Sequence, residues 1–123
     1  MTVALVLGTM VLLQIKHFAV DFLLQTRYQW ENKGTYLHPG GLLHAGLHGL
    51  GTLMVCVFIN PLYAILLAGL DAVLHYHIDW TKVNINKAAG WRPDTHAEFW
   101  DLLGADQMLH QLTYILLLAI LFL

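Results

Sequence analysis

Four apolar segments dominate the sequence, each close to the length of about 20 residues that a helix needs to cross a bilayer. They cover roughly residues 2–25, 41–59, 61–82 and 98–123. Of the 123 residues, 58% are hydrophobic and only 11% are charged, which is too few charges to keep the surface of a soluble domain wet. The sequence therefore predicts an all-α fold in a single domain over residues 1–123, an integral membrane bundle of four transmembrane helices.

The connections between these segments predict how the bundle is threaded. Only Asn60-Pro61 separates the second segment from the third, and the proline suits the first position of the next helix. The other two connections, residues 26–40 and 83–95, are polar and flanked by tryptophan and tyrosine, as at a membrane interface. Antiparallel neighbours would place both polar connections on one side, so the predicted topology is up-down-up-down.

The basic residues predict an orientation in the membrane. All six belong to the side of the polar connections or to the helix ends that lead into it: Lys16, Arg27, Lys33, Lys82, Lys87 and Arg92. By the positive-inside rule, this side faces the cytoplasm and both termini lie on the outer side. The lipid bilayer is the expected partner, and no nucleic acid is expected.

Ionisable residues inside the apolar segments are informative, because each is costly in a membrane unless it faces a partner, a cavity or a metal. Each segment carries one pair spaced by four residues, a spacing that puts both side chains on one face of a helix. The pairs are His17 and Asp21, His44 and His48, His75 and Asp79, and Asp106 and His110. All four lie near the helix ends that meet at the polar connections, so we expect a single cluster.

Imidazole nitrogens and carboxylate oxygens are metal ligands, and facing helices of a bundle build one-ion and two-ion sites from such pairs. The eight side chains therefore predict one or two divalent ions, with zinc expected before manganese or iron. Eight candidates exceed the needs of one ion, so either the site holds two ions or some aspartates orient the ligating histidines without binding metal. A hydrogen-bonded network without an ion is the alternative. Three other histidines fall outside the pattern and are interpreted as loop or interface residues: His38, His77 and His96.

A metal-dependent hydrolase is the first function that these residues predict. A bound ion acidifies water, Asp79 or Asp106 would serve as general base, and Lys82 with Arg92 would hold an anionic head group. A site at the cytoplasmic face of the membrane suits a lipid-like or phosphorylated substrate. Because so short a chain encloses little space, an enzyme of this kind is expected to form a homo-oligomer.

Two other functions stay open. One is a transporter or sensor of metal ions or protons. Transport is disfavoured because the outer halves of the helices contain only one ionisable group, Asp71, and so offer no polar path across the membrane. The other is a membrane protein that binds a partner protein, in which the metal merely stabilises a small bundle.

Short blocks of sequence on the four segments resemble a known family. They are HFAVDFLLQ (residues 17–25) followed by WENKG, then HAGLH, HYHIDWTK and DQMLH. In this order and spacing they are similar to the bacterial and phage membrane proteins grouped as domain of unknown function 3307. The resemblance spans nearly the whole chain and implies a small protein of the bacterial or phage-host inner membrane, with no activity attached. A looser likeness to membrane-bound metal-dependent hydrolases is analogy only.

Overall fold

The computed structural model describes residues 2–123, and this part of the chain is helical, with no strand. The elements are α1 (Val3–Phe18), a π-helical segment that continues it (Ala19–Leu23), α2 (Arg27–Asn32), α3 (Pro39–Cys56), α4 (Pro61–Ala89) and α5 (Ala97–Phe122). The predicted all-α fold is confirmed.

The four long helices form a ring in which α1 and α4 each pack against both α3 and α5. As residue numbers rise along one helix, the residues that it contacts on the neighbouring helix have falling numbers. His44 of α3 faces His75 of α4, whereas Thr52, further along α3, faces the earlier residue Asp71. The helices thus alternate in direction, with α2 and the α4–α5 connection at one end, here named the loop end, and residues 57–60 at the other, the turn end.

Three stretches are long and apolar enough to cross a membrane: Val3–Leu23, Pro61–Ala89 and Ala97–Phe122. The predicted second crossing is not among them. Its helix, α3, has 18 residues, and five glycines and two histidines lower its mean hydropathy. Length and composition therefore support three of the four predicted crossings.

Buried and exposed residues are distributed in the reverse of the pattern usual in a soluble domain. Large apolar side chains cover the outside, among them Phe58 at 94% exposure and Leu62 at 78%. Toward the turn end the interior is apolar, and it contains Leu13, Cys56, Ala64, Leu67, Tyr114, Leu117, Leu118 and Leu121. Toward the loop end the interior is filled by ionisable side chains instead. Such an exterior suits contact with lipid.

Several predicted helix boundaries need correction. The helix predicted to end at residue 82 continues to Ala89, because its polar last turns dock on the first polar connection. There Asn84 Nδ2 donates to the Gly34 carbonyl at 3.0 Å. Gly90, with a left-handed φ of 70°, then ends the helix. The helix predicted over 41–59 spans Pro39–Cys56, because the His38 ring accepts from the Gly40 amide at 3.0 Å and caps it.

The first polar connection contains a helix that the sequence analysis did not predict. Helix α2 begins with a capping box, in which the Thr26 hydroxyl accepts from the Gln29 amide and the Gln29 side chain accepts from the Thr26 amide. The preceding segment, predicted to run to residue 25, ends at Leu23. The chain thus folds back under the loop end instead of leaving it as an open loop.

Candidate metal centre

The structure brings the eight predicted histidines and aspartates together in the half of the bundle nearest the loop end, and all eight are buried. Their ligand atoms form three groups, in each of which the atoms lie within 4.8 Å of one another. The groups are Asp21, His44, His48 and His75; His17, His75 and His110; and Asp79, Asp106 and His110. Because two histidines are shared, the three groups make one continuous cluster.

The π-helical segment carries Asp21 into this cluster. His17 lies in the last turn of α1, and its Nε2 is 3.1 Å from Asp21 Oδ2 within the wider π turn. Asp21 Oδ1 lies 2.8 Å from His48 Nε2 and 3.1 Å from His44 Nε2, both on α3. Single π turns inside helices are frequent at functional sites. Here the turn places a carboxylate against the imidazoles of the neighbouring helix.

Two imidazole nitrogens, one from α3 and one from α4, each lie at metal-ligand spacing from two carboxylate oxygens. His44 Nε2 and His75 Nε2 lie 3.2 Å apart. Each lies 3.1–3.5 Å from Asp21 Oδ1 and 3.3–3.5 Å from Asp79 Oδ2. For metal–ligand bonds of about 2.0–2.1 Å, ligands at tetrahedral angles lie about 3.3 Å apart. The donor types and their separations therefore fit a zinc-like ion.

A second set of donors shares Asp79 with the first. His110 Nε2 lies 3.3 Å from Asp79 Oδ1 and 3.5 Å from Asp106 Oδ1. Both His110 Nε2 and Asp106 Oδ1 are buried without a hydrogen-bond partner, although the distances are short, because the angles do not suit hydrogen bonds. Buried polar atoms are normally satisfied, so this pair is consistent with a cation as their shared partner.

Below the cluster, one turn nearer the turn end, lies a buried ion pair. Lys16 Nζ is 2.7 Å from Asp71 Oδ2, and the two side chains are only 6% and 1% exposed. The Thr52 hydroxyl donates to the same Asp71 oxygen at 2.5 Å. Lys16 is therefore not a charge at the membrane surface, as the positive-inside interpretation assumed, but part of the interior.

The same lysine fixes the protons of two cluster histidines. An ammonium group only donates, so Tyr114 Oη at 3.1 Å and His48 Nδ1 at 3.4 Å accept from Lys16 Nζ. The Tyr114 hydroxyl proton is then directed to His17 Nδ1 at 2.7 Å. A neutral imidazole that accepts at Nδ1 carries its proton on Nε2, and these Nε2 atoms face Asp21. His48 thus donates to the Asp21 carboxylate, whereas the His17 Nε2–H donates to Gln107 Oε1 at 3.2 Å and lies beside Asp21.

Two further lysines hold the cluster from the loop end. Lys33 Nζ lies 2.9 Å from Asp79 Oδ2, and Lys82 Nζ lies 3.0 Å from Asp106 Oδ2. Their side chains are 12% and 15% exposed, so each ammonium group lies between the cluster and the outside. Lys82 was predicted at the site, whereas Lys33 was not.

Several predicted or excluded residues lie away from the cluster. Arg92, predicted with Lys82 as a head-group ligand, is 71% exposed on the α4–α5 connection and pairs with Asp94. His38 caps α3, His77 contacts Tyr36 on the outside, and His96 precedes α5. Arg92, predicted at the site, thus does not contact the cluster, and neither do the three histidines that the sequence analysis left out of it.

Most of the residues that contact the cluster but were not predicted at the site could have been found from the sequence. Asp71, Thr52 and Tyr114 each lie four residues from a cluster histidine, so they continue the same helix faces one turn deeper. A lysine in an apolar segment, such as Lys16, also requires a buried partner. Lys33 gave no such signal, because it lies in a polar connection.

Comparison with known protein families gives a match over most of the chain. The model of a family described as "Protein of unknown function (DUF3307)" matches residues 9–123, a range that includes all eight cluster residues. No curated protein and no solved structure matches the chain. The family match agrees with the resemblance noted in the sequence, and it supplies no activity.

Proposed function

This chain belongs to the DUF3307 family, whose description gives no activity, and from the geometry of the cluster we propose that it is a metal-dependent hydrolase. It acts at the loop end of a membrane-embedded bundle, on a lipid-like or phosphorylated substrate. The observation that carries the proposal is the position of Asp79, which presents one carboxylate oxygen to each of two sets of metal-ligating atoms.

The proposal assigns two ions, with Asp79 between them. The first has Asp21, His44, His75 and Asp79 as its four ligands, a closed set of the kind typical of structural zinc. The second has at most Asp79, Asp106 and His110, which leaves a position open to water and substrate, as catalytic sites do. An ion at the second position would polarise the scissile group and acidify the attacking water.

The protein's own groups have distinct roles in this proposal. Asp79 would use both oxygens as a bridge, so the general-base role falls to Asp106, whose Oδ1 has no hydrogen-bond partner and in this role would accept a proton from the attacking water instead of binding the second ion. His48 is a positioning residue, because it holds Asp21 through an Nε2–H donor. Both ring nitrogens of His17 are likewise engaged, by Tyr114 and Gln107, so His17 offers no free lone pair. Both histidines are therefore left out of the ligand set that the sequence suggested.

A structural metal in a partner-binding protein is the second candidate. The observation in its favour is burial: Asp106 is 2% exposed and His110 is 1% exposed, which leaves little room for a substrate at the second ion. Transport is not proposed, because the core between the Lys16–Asp71 pair and the turn end is apolar and offers an ion no polar path.

Elemental analysis by mass spectrometry of the protein purified without a histidine tag tests the two sets of ligands. We expect two transition-metal ions per chain, one of them lost in His44→Gln and both lost in Asp79→Asn. His48→Gln is expected to keep both, since the glutamine amide can still donate to Asp21. His96→Gln is the matched control outside the cluster. A chain without metal, or equal loss in all variants, would contradict the site.

Hydrolysis is tested separately, with phosphate esters and carboxylic esters offered in detergent and in vesicles. We expect turnover that requires metal and falls by about 10²–10⁴-fold in Asp106→Asn, the usual contribution of a general acid–base group. A protein that holds its ions and hydrolyses none of these substrates would overturn the enzyme and favour the structural metal.

A further inference from the structure

A cavity of about 450 Å³ opens at the loop end, directly beside the cluster. Three lysines and three aromatic side chains line it: Lys33, Lys82, Lys87, Trp30, Trp91 and Phe99. Aromatic residues of this kind lie at the level of lipid head groups in membrane proteins. The cavity therefore has the position and the lining of an anion site at a membrane interface.

The lysines of this cavity also connect it to the cluster. Lys33 and Lys82 hold the carboxylates of Asp79 and Asp106, whereas Lys87 is exposed and has no ion-pair partner among residues 2–123. A cation bound to Asp79 Oδ2 would compete with Lys33 for that oxygen, and a cation at Asp106 would weaken the hold of the same carboxylate on Lys82. The lysines are then available to an anion in the cavity, which has no carboxylate other than Glu31 on its wall.

The charge of the buried site depends on the ions it holds. Four buried carboxylates, those of Asp21, Asp71, Asp79 and Asp106, face three lysines, Lys16, Lys33 and Lys82. With neutral histidines the net charge is −1, and a single divalent cation makes it +1. The metal-loaded site therefore attracts an anion.

A second, apolar cavity of about 300 Å³ runs between α4 and α5 on the outer surface of the bundle. Its walls include Leu74, Ile78 and Leu109, and it shares Lys82 with the first cavity and reaches Asp106. In a membrane this groove faces the acyl chains of the lipids. Lys82 thus stands where a charged cavity and an apolar groove meet beside the proposed second ion.

We propose that the two cavities together bind a membrane lipid with a phosphate monoester head group. The head group lies among Lys33, Lys82 and Lys87, and one acyl chain lies in the groove between α4 and α5. A phosphate monoester carries a charge of about −1.5 to −2, which suits three ammonium groups. This inference rests on the proposed function, since it names the substrate class of that site.

Binding is measured without turnover by using a non-hydrolysable phosphonate analogue of phosphatidic acid, and the readout is the thermal stability of the metal-loaded protein in detergent. We expect a rise in Tm with this analogue, and no rise with phosphatidylcholine or with glycerol 3-phosphate at the same concentration. Lys87→Gln is expected to weaken binding about tenfold, the value of one charge-assisted contact. Arg92→Gln removes the same charge at the same end, outside the cavity, and is expected to bind normally.

A further variant tests the groove. Ala105 lies on its wall and is exposed, so Ala105→Phe fills the groove without disturbing the core. This variant is expected to lose the rise in Tm. Equal binding of phosphatidylcholine, equal binding of glycerol 3-phosphate, or equal weakening by Arg92→Gln would overturn the inference.

The two proposals fail in different ways. Binding of the phosphonate lipid without hydrolysis of any phosphate ester would support the lipid site and contradict the hydrolase. Hydrolysis of a water-soluble phosphate ester by a protein that does not bind the phosphonate lipid would support the hydrolase and overturn the lipid site.

Discussion

Lys16 and Asp71 form a buried ion pair in the middle of the bundle, and the pair does more than neutralise two charges. Through Tyr114 and His48, Lys16 determines which nitrogen carries the proton on two cluster histidines. A residue that contacts none of the proposed metal ligands thus decides how Asp21 is held. The pair links the apolar interior at the turn end to the polar interior at the loop end.

Removing Lys16 alone is expected to be strongly destabilising. Lys16→Met leaves the Asp71 carboxylate buried with only Thr52 as a partner, and breaking a buried pair in this way costs about 3–5 kcal/mol. The double variant Lys16→Met, Asp71→Leu removes both charges and is expected to recover most of this loss. Unfolding of the purified proteins in detergent measures the difference. Equal destabilisation of the single and double variants would contradict the pairing.

At the residue level, the four-residue spacing of His and Asp predicted which side chains meet, because that spacing fixes a helix face regardless of how the helices pack. It did not separate ligands from positioning residues. That distinction depends on Lys16 and Tyr114, which approach His17 and His48 from another turn or helix. The partners of Lys33 likewise depend on how α2 folds under the loop end.

Among the elements, the contact between α3 and α4 carries the histidines of the proposed first ion. Gly49 makes this contact close: a Cβ at this position would lie 2.7 Å from the Ala68 carbonyl oxygen and 3.1 Å from Ala72 Cβ. Gly49 is therefore required for the close packing of the two helices. Gly46 is not, since a Cβ there would have no neighbour within 4 Å.

A matched pair of variants tests this contact. Gly49→Ala is expected to push α4 away from α3, to lower the free energy of unfolding by about 1–3 kcal/mol and to reduce metal content. Gly46→Ala is expected to be neutral or to stabilise the helix by up to about 1 kcal/mol, since alanine favours helix more than glycine. Thermal unfolding by circular dichroism, with elemental analysis beside it, compares the two. Similar losses in both variants would contradict the close contact.

The long helices followed from hydropathy, but two features of the loop end did not. The end of α4 is polar and resembles a loop in composition, and it is helical because it docks on the chain around Gly34. Helix α2 is short, and the capping box that begins at Thr26 is the one feature of the sequence that indicates it. In both, tertiary contacts decide where the helix lies, so the length of an apolar segment does not predict it.

For the whole molecule, the orientation in the membrane stays a prediction, and the structure reduces the number of basic residues on which that prediction rests. Lys16 is buried, while Arg27, Lys87 and Arg92 are exposed at the loop end. No lysine or arginine lies at the turn end, residues 57–60. The positive-inside rule therefore still predicts a cytoplasmic loop end, on three exposed charges and two partly buried ones.

Cysteine labelling of intact cells checks this orientation. In a Cys56→Ala background, which removes the single buried thiol, we introduce Phe58→Cys at the turn end or Thr95→Cys at the loop end. A membrane-impermeant maleimide is expected to label position 58 in intact cells and position 95 only after the membrane is opened. The reverse pattern would place the cluster on the outer side.

The groove between α4 and α5 determines which substrate concentration the proposed site would respond to. A lipid that reaches Lys82 along this groove moves sideways within one leaflet and never passes through water. The relevant quantity is then its mole fraction in the membrane, so diluting it with inert lipid would slow the reaction even at constant total amount. Lipid in the opposite leaflet would reach the proposed hydrolase only after it has crossed over, so the turnover that we propose would depend on transbilayer exchange.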